Sequence, residues 1–203
     1  MHRITNRLKL LLPLYFFCQF ACAVETTPAK CVGKFCIGSP ENKYTKRLFR
    51  EYGPGQIKLD ADDPSLLVHC YYDPRQKLWI ELEISVSDSI KYKPKLTGLF
   101  VTSIPMCPTH FMPKKNFPDF VSEYGIKIGA TESNIVGRMG TPKRRDDVNA
   151  IESKAPYLRN SDRYSSKSGS YRLVYDENPS NLLFNFYGLE SGKLVSMWFA
   201  ERE

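Results

Sequence analysis

The sequence predicts an α+β fold made of two tandem repeats, each running helix, strand, turn, strand, turn, strand. Three observations carry this prediction: a capped helix sequence at residues 129–142, a similar one at residues 37–54, and a shared strand-and-turn pattern after each.

The stretch GATESNIVGRMGTP occupies residues 129–142. The Thr131 hydroxyl can take the open amides of a helix start, which makes it the expected N-cap. Ile135, Val136 and Met139 recur at helical spacing and give the helix one apolar face. Gly140 supplies the left-handed stop, and Pro142 prevents the helix from resuming. The layout recurs in IGSPENKYTKRLFREYGP at residues 37–54. There Ser39 is the cap, Pro40 the first helical residue, and Tyr44, Leu48 and Tyr52 the buried stripe before Gly53-Pro54. The first copy is longer by about one turn, an insertion that leaves the helix face in place. Downstream, YDPRQKLWIELE at 72–83 echoes YDENPSNLLFNFY at 175–187, and Lys95-Leu96 echoes Lys193-Leu194 before a last strand.

The order Gly-x-Thr-x-x-x-Ile with a late Gly-x-Pro resembles the signature helix of the SmpA/OmlA (BamE-type) and β-lactamase-inhibitor-protein-like modules. The resemblance covers residues 35–203. It implies short helices packed on an antiparallel β-sheet, and a role in binding another protein. The inhibitor-like members are secreted tandem repeats that set a concave sheet and protruding loops against an enzyme cleft. The BamE-type members are lipoproteins that help hold an outer-membrane machine. No residue-level match to the inhibitory loops is present, so the resemblance names no target.

Residues 1–23 read as a signal peptide: Arg3, Arg7 and Lys9 form a basic start, Leu10 to Phe20 an apolar run, and Ala21-Cys22-Ala23 a small-residue cleavage site. The apolar run is short for a membrane span. Acylation of Cys22 is the alternative, but Gln19 and Phe20 suit a lipobox poorly. Residues 24–35 form a loose leader, 36–104 the first repeat, 105–118 a proline-rich linker and 119–203 the second repeat. Cleavage removes three basic residues and leaves 26 basic against 22 acidic, a net charge near +4. Such a mild bias is not the footprint of a nucleic-acid binder. It suits an acidic protein partner or an anionic envelope surface.

Four cysteines remain after cleavage: Cys31, Cys36, Cys70 and Cys107. Three pairings are open to them. Cys31 with Cys36 would close a small loop before the first helix, and Cys70 with Cys107 would tie the first sheet strand to the segment after the third. The rival is a metal site drawing on His69-Cys70 and Cys107-Pro-Thr-His110, with export to an oxidising compartment favouring disulfides. In the disulfide reading His69 and His110 are surface or rim residues, and no metal or other cofactor is expected.

In residues 78–86, Leu78, Ile80, Leu82, Ile84 and Val86 alternate with Trp79, Glu81, Glu83 and Ser85. The first set is expected to pack beneath the helices, leaving the second on an open face. By the same alternation Phe184, Phe186, Val195, Met197 and Phe199 belong to the core, and Asn185, Tyr187, Ser196 and Trp198 face outward. The polar stretch from Lys143 to Ser170 reads as a long loop, and loops of this length in compact domains are functional or disordered. Its Tyr157, Arg159, Arg163 and Tyr164 are residue types that dominate interface hot spots. The expected partner surface is therefore Trp79, Glu81, Glu83, Asn185, Tyr187 and Trp198 on the sheet, with Tyr157, Arg159, Arg163 and Tyr164 on the loop.

Catalytic chemistry finds little support. The chain has no Gly-x-Ser-x-Gly elbow, phosphate-binding glycine loop or His-Glu-x-x-His, and no Ser/His/Asp set is evident. The Asp62-Asp63, Asp146-Asp147 and Glu81/Glu83 pairs are carboxylates with no fixed geometry in the sequence. The expectation is a non-enzymatic, periplasmic or secreted inhibitor or immunity-type protein that blocks a hydrolase or toxin. A BamE-type assembly scaffold is the alternative.

Overall fold

The computed structural model describes residues 31–37, 41–59, 66–85, 95–107, 111–147, 171–175 and 183–201, with the backbone alone for 41–46, 58–59, 183–187 and 201. A two-stranded hairpin, β1 (Cys31–Val32) and β2 (Phe35–Cys36), precedes helix α1 (Glu41–Tyr52). Four strands follow: β3 (Gln56–Leu59), β4 (Leu66–Asp73), β5 (Leu78–Ser85) and β6 (Lys95–Thr102). Helix α2 (Glu132–Met139) then introduces β7 (Arg144–Asp147), β8 (Tyr171–Val174), β9 (Leu183–Glu190) and β10 (Lys193–Glu201).

The last eight strands form one antiparallel sheet in the order β3-β4-β5-β6-β10-β9-β8-β7. Each helix is thus followed by an up-and-down meander of four strands, and the meanders meet through β6 and β10. One bulge falls in each half. Thr97 is the extra residue on β6 and Val195 the extra residue on β10, each directly after a Lys-Leu pair.

The helix ends follow from local chemistry. The Asn134 N–H donates to Thr131 Oγ1 at 3.3 Å, and the Gly140 N–H closes α2 on the Val136 carbonyl at 2.8 Å with a φ of 79°. Gly53 ends α1 in the same way, at a φ of 84°, with its N–H on the Phe49 carbonyl at 2.8 Å.

Both helices pack on one face of the sheet. Leu48 and Tyr52 of α1 and Ile135 and Met139 of α2 are buried against Leu78, Ile80, Leu82, Ile84, Leu99, Val101, Met197 and Phe199. The expected phase of β5 is therefore the observed one up to Ile84. Val136 is only half buried and belongs to the flank of α2 rather than its core stripe. On β10 the bulge at Val195 advances the phase by one residue, so Leu194 is buried with Met197 while Val195 is half buried.

The register also corrects β9. Phe186 stands opposite Trp198 and Phe184 opposite Ala200, whereas Tyr187 stands opposite Met197 and Asn185 opposite Phe199. By strand pairing, positions 184 and 186 share the face away from the helices, and positions 185 and 187 the helix-side face. The expected assignment was the reverse.

The presumed leader and linker are built into the core. Val32 and Phe35 of the hairpin are buried, as are Phe117 of the linker and Phe120 just after it. Residues 1–30, Ser39, Pro40, Val86 and His110 lie outside the described residues, as does the side chain of Tyr44.

Candidate functional site

The face away from the helices is the first candidate. One row across all eight strands runs Gln56, Cys70, Glu81, Phe100, Trp198, Phe186, Val174 and Arg144. The four predicted side chains of known burial on this face are covered: Trp79 is 3% exposed, Glu81 0%, Glu83 4% and Trp198 7%. The expectation of an open face is corrected. A side chain buried in the isolated chain is covered by that chain, and here part of the cover is visible. Trp79 packs with Tyr72, Met106 and the Cys70 and Cys107 sulfurs, its ring 4.9 Å from that of Tyr72. Trp198 packs with Phe100, Val174, Ala200 and Met106. Glu83 lies over Gly98, where a Cβ would collide with its carboxylate.

The cysteines stand in two pairs at disulfide distance, Cys31 with Cys36 and Cys70 with Cys107. A carboxylate oxygen of Glu81 lies within 4.8 Å of both sulfurs of the second pair. With the sulfurs joined to each other they are not thiolates, so this trio is not a metal-ligand set in the oxidised protein. His69 points to the other face. Its Nδ1 is 2.7 Å from the Pro54 carbonyl and its ring 4.4 Å from Phe49. It is buried rather than on a rim, and burial, partly offset by the Pro54 carbonyl, pulls its pKa below the ordinary imidazole value.

The second candidate is the root of the 148–170 segment. Residues 144–147, expected within a loop, form strand β7 instead, and Asp147 pairs with Tyr171 as the last rung of the β7–β8 ladder. The two described residues that bracket 148–170 are thus register partners on adjacent strands.

Two charged clusters hold that root. On one face Asp146 Oδ2 accepts Arg144 Nε at 2.8 Å and Arg172 Nε at 3.0 Å. On the helix side Glu132, in the first turn of α2, accepts the Tyr171 hydroxyl at 2.6 Å and pairs with Arg145 Nη1 at 3.3 Å. The Arg145 guanidinium also lies 3.9 Å above the Tyr171 ring. Burial, and then the hydrogen bond to Glu132, push the Tyr171 pKa up to about 12. Two guanidinium groups engage Asp146, which ties β7 to β8 at the root.

Sequence reasoning missed Glu132, Arg144, Arg145, Tyr171 and Arg172. The only signal was the alternation of charge in Arg-Arg-Asp-Asp, which carries no apolar period. Tyr157, Arg159, Arg163 and Tyr164 lie outside the described residues. Asn185 and Tyr187 are described in backbone only, at the helix-side positions given above.

Comparison with protein-family models, with curated proteins and with solved structures gives no match for this chain. Among the described residues no helix is long and apolar enough to cross a membrane.

Proposed function

We propose that the chain is an exported, disulfide-bonded protein-binding module of two tandem repeats, and that it restrains an envelope hydrolase or toxin by presenting the 148–170 segment. The observation that carries this reading is the hairpin root, where Asp147 and Tyr171 are register partners flanked by the Asp146 and Glu132 clusters. A fixed root holds the two ends of the segment on adjacent strands and lowers the ordering cost of binding. Tyr157, Arg159, Arg163 and Tyr164 then supply the anchors. We therefore assign the interface to the segment rather than to the sheet face, whose tryptophans are covered. The paired meanders and matching bulges support the tandem repeat, and the two cysteine pairs support an oxidising compartment.

The test is affinity capture from envelope extract with the oxidised protein, alongside a variant in which a short Gly-Ser linker joins Asp147 to Tyr171. One stoichiometric hydrolase, lost with the linker variant, is the expected result. A partner retained by the linker variant removes the segment from the interface. Recovery of barrel-assembly components instead favours the BamE-type scaffold.

A further inference from the structure

A different surface, on the first half of the chain, is arranged for a charged ligand. Three aromatic rings pin three segments together there: Phe35 of the hairpin, Tyr52 at the end of α1 and Phe117 of the connector. Their centroids are 6.3 Å apart for Phe35–Tyr52, 5.8 Å for Phe35–Phe117 and 4.2 Å for Tyr52–Phe117. Each segment brings cations. Lys34 sits in the turn closed by Cys31 and Cys36, Arg47 lies on α1, and Lys114 and Lys115 lie on the connector. The Lys114 N–H donates to the Tyr52 carbonyl at 3.1 Å, and its side chain runs along Gly53, where a Cβ would come within 3.6 Å of it.

All four cations are exposed. Arg47 pairs with Glu51, whose carboxylate accepts its Nε at 3.0 Å. Lys34, Lys114 and Lys115 form no ion pair with a described residue. The hydrogen bond from Arg47 lowers the Glu51 pKa, and the fields of Lys115 and Lys34 add to it, so these cations lie within Coulombic reach of one carboxylate.

We propose that this corner, formed by Lys34, Arg47, Lys114 and Lys115, docks an acidic segment of a partner polypeptide, independently of the 148–170 interface. Lys34, Lys114 and Lys115, which form no ion pair with a described residue, repel one another and Arg47, and an acidic ligand relieves that repulsion. The ring stack and the cysteine pair fix the backbone around them, which limits the ordering cost. Glu51 distinguishes the kind of anion. A carboxylate among the cations opposes the continuous phosphates of a bilayer or a nucleic acid, but it accepts a peptide N–H beside an acidic side chain. Met112, 62% exposed and two residues before Lys114, offers a pliable apolar contact to such a segment.

The test is fluorescence anisotropy with a labelled Glu-Gly repeat peptide at low salt, using the full oxidised protein. Binding should weaken about tenfold, equivalent to about 1.4 kcal/mol, in Lys114→Glu/Lys115→Glu. It should weaken less in Lys114→Gln/Lys115→Gln, which guards against a folding defect. Lys127→Glu/Lys193→Glu, an equal charge change at exposed positions of the other half, and the linker variant should bind the peptide as the parent does, so failure here leaves the loop reading standing. Equal binding by the charge-reversed and parent proteins overturns the proposal. So does tighter binding of anionic vesicles or duplex DNA through the same lysines.

Discussion

Phe100 and Trp198 stand directly opposite each other on β6 and β10, each three residues beyond a Lys-Leu-bulge sequence of the same layout. Lys95-Leu96-Thr97 leads to Phe100 as Lys193-Leu194-Val195 leads to Trp198. The two halves therefore meet at equivalent positions, and the pair is buried with Val174 and Ala200. Truncating either ring removes a large side chain from a packed site. Trp198→Ala is expected to cost about 3–5 kcal/mol in urea unfolding, as is Phe100→Ala. A loss under about 1 kcal/mol would return this face to solvent.

Gly98 and Glu83 give a test of the same face in the opposite sense. A methyl group at position 98 meets the Glu83 carboxylate. Gly98→Ala should destabilise the fold by about 1–3 kcal/mol, the usual cost of overpacking. Adding Glu83→Ala should restore part of that loss, and strict additivity in the double-mutant cycle would show that the two positions do not touch.

The cysteine pairs set a third expectation, tied to export. Intact mass of protein from the envelope should place the N-terminus near Val24, with no thiol reactive in the folded state. Removing the Cys70–Cys107 link as the double alanine variant should cost about 2–4 kcal/mol. A retained N-terminal segment or four titratable thiols would contradict the export reading.

His69 makes stability depend on pH. Its folded pKa lies below the ordinary value of 6.5, so the unfolded chain takes up the proton first. Its contribution is fully present above pH 6.5 and is lost as pH falls from there through the folded pKa, by at most about 1.4 kcal/mol per pH unit. Unfolding midpoints between about pH 7 and 5 should fall for the parent and flatten in His69→Gln. An equal slope in both would assign the acid sensitivity to other groups.

Tyr171 reports on the hairpin root. Burial raises its pKa first and Glu132 adds to it, giving a value of about 12. Replacing Glu132 with Gln removes the negative acceptor, so the ring should ionise at lower pH yet remain above 10 through its burial. Carbon-13 titration of the tyrosine ring resonances measures this. An unmoved Tyr171 would separate Glu132 from the root.

What was legible in the sequence was local. Thr131, Gly140 and Gly53 act on neighbouring backbone groups, so both ends of α2 and the C-terminal end of α1 could be read directly. The strict alternation from Leu78 to Ile84 set the phase of β5. The phase of β10 was lost at Val195, because a bulge inserts one residue without a sequence signal of its own. In β9 both faces of the sheet carry apolar residues, so Phe184 and Phe186 gave no indication of their side. Alternation separated Trp79 and Trp198 from the core beneath the helices, but it could not tell a second buried layer from an open surface. Strand β7 was read as loop because Arg144 to Asp147 are held by ion pairs rather than by an apolar stripe.

The central position of β10 has a consequence for how the molecule is made. The Thr102 hydroxyl donates to the Val195 carbonyl across 93 residues of sequence, and β6 has no other neighbour on that side in the finished sheet. During synthesis the first meander emerges with β6 as a bare, apolar edge, and it stays so until β10 arrives. Contacts this distant in sequence form slowly, and an uncovered strand is a template for pairing with another molecule. The joint that makes the sheet continuous is thus also its point of greatest exposure to aggregation in the nascent chain, and a chaperone that shields Leu99 and Phe100 would act there.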